Sequence, residues 1–174
     1  MSNAIVSAVS NSGIRGVAQS LGAATKGLPH LPKPIIEFIA SIIPFASVLV
    51  GGLSLFSALV LTPSLLVFNQ QMISYGGQSM NVFAGTGPLL FVSIVFLVVI
   101  GVLLVAAFPS LMKREYEGWL TVLAADLVSV VYGVLSFVLA PIGGSPITTV
   151  LSTIIGFYVW FELKALYTPV AKKK

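Results

Sequence analysis

Few side chains in this sequence can do chemistry, and Asp126 is the one that most needs a role. It lies seven residues beyond Trp119 in an otherwise apolar stretch, about 10 Å along a helix. An ionised carboxylate at that depth in a bilayer costs several kcal/mol unless it is paired or hydrated. Such a residue serves either as a proton or ion site in a transport pathway or as half of a structural pair. Lys164, with Glu162 beside it, falls at a comparable depth in the last apolar stretch. An Asp126–Lys164 contact that neutralises both groups is the favoured expectation. Glu37 and Glu162 could instead join Asp126 as an acidic cluster lining a cation vestibule.

Other chemistries lack their residues. The chain has no cysteine, which excludes disulfides, thiolate metal sites and cysteine nucleophiles. Its single histidine, His30, sits in a proline-rich connector and cannot build a zinc site of the usual kind. Gly85-Thr86-Gly87 and Gly143-Gly144-Ser145 carry neither the lysine nor the strand-to-helix setting of a phosphate loop. No serine is placed with a base. No catalytic residue, cofactor or metal is therefore expected, and the chain does not read as an enzyme.

The elements that must hold Asp126 are set by the bilayer. Of 174 residues, 57% are hydrophobic and only 8% charged, with a mean hydropathy of +1.05. A water-soluble fold cannot hide that much apolar surface. No Asp, Glu, Lys or Arg occurs in the 75 residues between Glu37 and Lys113, nor in the 35 between Asp126 and Glu162. Leu89–Phe108 and Trp119–Ala140 are each long enough to cross about 30 Å of hydrocarbon. The charged turn Lys113-Arg114-Glu115-Tyr116-Glu117 joins them as a helical hairpin.

The fold class expected is all-α: an integral membrane four-helix transmembrane bundle with an N-terminal cytoplasmic or interfacial extension. Residues 1–33 form the extension, either an in-plane amphipathic helix or a tail. Residues 34–168 hold spans at about 45–66, 89–108, 119–140 and 147–167, with a bend near Pro44 that leaves Ile35–Ile43 at the interface. Residues 169–174 are a basic tail. All nine Lys and Arg residues fall on one side of this arrangement or within reach of it, so the positive-inside rule puts both termini in the cytoplasm. The net charge of +4 flanks the spans and forms no patch interleaved with aromatics, which argues against nucleic acid.

Two further patterns point to partners. Ala125, Ser129 and Gly133 on the third span, and Thr148, Ser152 and Gly156 on the fourth, recur every four residues, a spacing that lets helix backbones approach closely in lipid. Ser47, Gly51, Ser54 and Ala58 could do the same on the first. The uncharged, Gly-rich loop Asn69–Gly87 carries Met72, Tyr75, Met80 and Phe83, which are too apolar for a plain linker and suit partner contact. Lys113–Trp119 and Phe161–Tyr167, which frame the last two spans, resemble stretches of small multi-pass proteins from bacteria with reduced genomes. That likeness covers about the last third of the chain and brings no activity. The expected location is a plasma membrane of bacterial type. The expected function is thus an accessory, scaffold or assembly subunit of a larger membrane complex, partnered by the lipid bilayer and by other subunits or a second copy. The alternative is a small oligomeric transporter or channel with Asp126 in its pathway.

Overall fold

The computed structural model describes residues 2–11, 13–25, 27, 29–68, 73–75, 78–80, 87–139 and 146–167. Six α-helices run in order: α1 Ser2–Asn11, α2 Ile14–Thr25, α3 Lys33–Phe68, α4 Gly87–Met112, α5 Tyr116–Leu139 and α6 Pro146–Leu163, closed by a 3-10 turn Lys164–Leu166. Three of them are long and apolar enough to cross a membrane, over Lys33–Pro63, Leu89–Met112 and Tyr116–Val138. That is consistent with an integral membrane protein. α6, with 18 residues, is about 27 Å long and follows the fourth expected stretch closely. The turn 140–145, the basic tail 169–174 and the loop residues Met72 and Phe83 lie outside the described residues. Within the loop, Ile73–Tyr75 pairs antiparallel with Gln78–Met80, setting Tyr75 opposite Gln78 and Ile73 opposite Met80.

The first span differs from the expectation. α3 is one helix of 36 residues through both Pro44 and Pro63. A proline removes one backbone hydrogen bond. Continuing the helix brings Ile36, Ile39, Ala40 and Ile43 onto the core, which outweighs that loss. Ser47 Oγ donates to the Pro44 carbonyl at 2.7 Å, which satisfies the buried hydroxyl.

Glycine decides how α3 and α4 meet. A Cβ on Gly101 would stand 2.7 Å from Leu55 Cγ and 2.9 Å from the Gly51 carbonyl oxygen, and one on Gly51 would stand 3.0 Å from the Gly101 carbonyl oxygen. The backbones cross at these two residues, as association in lipid through packing requires. Phe45 and Phe108 meet edge to face nearer the charged turn, with centroids 6.2 Å apart, which fixes the antiparallel register. At the opposite end Ser93 of α4 and Tyr132 of α5 share a 2.9 Å hydrogen bond, and Phe96 packs on the same tyrosine.

The α4–α5 turn is closed by a Schellman motif. Glu115 N–H donates to the Ser110 carbonyl at 2.8 Å and Arg114 N–H to that of Leu111 at 3.0 Å, with Arg114 left-handed at φ 54°. Gly118 then lets α5 start against the end of α4, where a Cβ would lie 2.8 Å from both Leu111 N and Ser110 C.

Substituting Gly101→Val should lower stability in detergent by roughly 1–3 kcal/mol through overpacking against Leu55 and the Gly51 backbone. Gly52→Ala, next to the crossing but with open space around it, should be neutral or stabilise by up to about 1 kcal/mol. Thermal unfolding of both variants followed by circular dichroism checks the contrast.

Candidate functional site

The buried core lies at one end of the molecule, the end carrying the Lys113-Arg114 turn. It joins Ala40 of α3, Leu104, Ala107 and Leu111 of α4, Trp119–Ala125 of α5 and Trp160, Phe161 and Leu163 of α6. All seven residues from Trp119 to Ala125 are buried, nearly two full turns, so α5 is enclosed on every side there. Its neighbours are α4, α6 and the two N-terminal helices. The extension is thus two packed helices, and Val6 of α1 and Ala18 of α2 are buried in that packing.

Trp119, 0% exposed, is the centre of an aromatic stack. Its ring lies parallel to Tyr116 at 5.5 Å and to Trp160 at 6.0 Å, with Phe161 edge-on at 5.4 Å. Its Nε1 donates to the Trp160 carbonyl at 2.9 Å, and Lys164 Nζ lies 5.5 Å from the ring centroid as a cation–π partner.

Beside this stack a short strap fastens the extension to α6. His30 Nδ1 and Glu162 Oε1 are 2.9 Å apart, Leu31 N–H donates to Glu162 Oε2 at 3.2 Å, and the Tyr158 hydroxyl donates to the Pro29 carbonyl. His30 is 75% exposed while Glu162 is 9% exposed, so the histidine reaches in from water to a carboxylate held in the protein. A cleft of about 450 Å³ opens between α2 and the end of α6, lined among others by Gln19, His30, Phe161, Glu162 and Lys164.

The expected Asp126–Lys164 pair is not formed. Lys164 is drawn to the indole of Trp119, about 10 Å along α5 from Asp126, and among the described residues His30–Glu162 is the one ion pair. Asp126 is half-buried and has no described partner. The acidic vestibule does not assemble either: Glu162 faces the strap, Glu37 is exposed, and no three of the described His, Asp and Glu residues are close enough to hold a metal ion. Of the small residues on the last two spans, Ala125 is buried, Gly133 half-buried and Ser129 exposed, while a Cβ on Gly156 would meet nothing within 4 Å. Ser129 and Gly156 therefore take no part in the described α5–α6 contact, which lies at the aromatic end, while the side chains of Thr148 and Ser152 lie outside the described residues. The first-span stripe does mark a contact, since Ser47, Gly51 and Ala58 are buried.

The His30–Glu162 latch has no local signal, because 132 positions separate the partners. Half of the stack follows from the span boundaries, since Trp119 opens the span at 119–140 and Trp160 lies seven residues before the end of the span at 147–167.

Replacing Trp119 with Ala should cost roughly 3–5 kcal/mol, with Trp119→Phe costing less by keeping the ring contacts and losing the bond to Trp160. Glu162→Ala should leave the spans folded and free the strap, read as faster amide exchange at Leu31. No protein-family model, curated protein or solved structure matches this chain.

Proposed function

We propose that this protein is a non-catalytic subunit that assembles with other membrane proteins through the open side of α6. In this reading α6 is a fourth span, both termini face the cytoplasm of a bacterial-type plasma membrane, and the aromatic end lies at the cytoplasmic interface.

The observation that carries it is the contrast between two kinds of glycine. Gly51 and Gly101 are consumed by a backbone crossing, whereas a Cβ on Gly156, on the exposed side of α6 with Ile154, would meet no described atom within 4 Å. A helical glycine costs up to about 1 kcal/mol relative to alanine. That cost is offset where a second helix comes close, and among the described residues none does so.

A second reading, transport, is favoured by Asp126 alone, a carboxylate within a span and without a described partner. Oligomers would be needed to enclose a pathway around it.

Gly156→Leu separates these. It should leave the isolated chain folded, since the side chain enters open space, and should abolish co-purification of partner subunits or of a second tagged copy from mild detergent. Asp126→Asn should leave assembly intact; loss of ion flux in reconstituted vesicles with assembly preserved would favour transport. The cysteine-free sequence also allows single cysteines at Gln78 and Lys172 to be labelled from each side of the membrane. The expected result is opposite compartments.

A further inference from the structure

We infer that the cleft between α2 and the end of α6 holds the phosphate group of a membrane phospholipid. The inference rests on α6 lying in the bilayer, as proposed above, and is independent of any partner subunit.

The cleft is rich in donors. Among the described residues no carboxylate is within ion-pair distance of Lys164, whose ammonium is held over the Trp119 ring at the cleft wall. Gln19 contributes an amide, and His30, whose Nδ1 is engaged by Glu162, lines the cleft with its second ring nitrogen free of any described partner. Glu162 is the one acidic group in the lining. Both of its oxygens are taken by the strap, one by His30 and one by the Leu31 N–H. What remains for a ligand is a fixed cation with hydrogen-bond donors around it, the chemistry that binds phosphate.

The surroundings favour a lipid over free phosphate. Phe161 forms an apolar wall of the cleft. Leu151 and Ile155, both exposed, stand eleven and seven residues before Glu162 on one stripe of α6, so an apolar track leads from the cleft along the helix. A headgroup in the cleft would lay its chains on that track. The level matches too, because tryptophan and tyrosine gather where headgroups lie.

The test uses the purified full chain in neutral detergent, titrated with dihexanoyl phosphatidic acid, dihexanoyl glycerol or inorganic phosphate while thermal unfolding is followed. Phosphatidic acid should raise the unfolding temperature, and neither of the other two should match it. Lys164→Gln should weaken that response by roughly tenfold in apparent affinity, the loss of one charge-assisted hydrogen bond. Ala23→Leu, at an exposed α2 position in the cleft lining, should block it without touching the Trp119 stack, and serves if Lys164→Gln does not fold. An equal response to inorganic phosphate, an equal response to the diacylglycerol, or an unchanged response in Ala23→Leu would each overturn the assignment. Because binding is read on the isolated chain, its failure leaves the assembly proposal standing, and failed assembly leaves this one standing.

Discussion

The arrangement depends on how Trp119 is held. Its indole touches Tyr116 one turn earlier, Trp160 and Phe161 on α6, and the ammonium of Lys164 just beyond that helix. Aromatic contacts of this kind are worth about 0.5–1.5 kcal/mol each beyond the area they bury. Several converge on one ring that also donates to the Trp160 carbonyl. Since α6 is about 27 Å long and meets α5 mainly at this end, the stack sets where the whole helix points. A small rotation there displaces the far end of α6 by many ångströms, and with it the face that carries Gly156.

Two solvents explain why the rest looks as it does. At the charged end the chain builds a dry core of the kind a water-soluble protein has, with Leu111, Leu120, Leu123 and Leu163 almost fully enclosed. That core recruits α1 and α2, which contribute Val6 and Ala18 as buried residues and pack Ile14 and Leu21 against it. Away from it Phe91, Val134, Phe137 and Val138 turn outward. In lipid such exposure carries no penalty, so the helices need hold only where backbone shape or a polar bond makes them. Gly51 on Gly101 and Ser93 on Tyr132 are those points. Cohesion is therefore concentrated at a few residues.

The sequence revealed the parts governed by period and length. The hairpin of α4 and α5 was legible because a charged turn between two long apolar runs has one solution, and the start of α6 was legible from Pro146. The docking of Ile36, Ile39 and Ala40 was not legible, because local reasoning about Pro44 cannot see a core built largely by residues from Leu104 to Leu163. The extension was ambiguous for a similar reason: α1 and α2 gain stability from α4, α5 and α6. Small-residue spacing identified the face of α3 that packs on α4, whereas on α5 and α6 it included Ser129 and Gly156, which the fold leaves open.

Lys164 links the site to the unanswered part of the molecule. As a flexible cation it can neutralise a carboxylate or sit on an aromatic face, and here it takes the second option. Reaching Asp126 would require crossing about 10 Å along α5 past residues that are all buried. Leaving Trp119 would also strip the cleft of its only described lysine. The two assignments exclude each other. Asp126 of α5 touches no described cation, and a Cβ on Gly156 would meet no described atom within 4 Å. Both positions lack a partner among the described residues, and the assembly proposed above is a reading that would supply one.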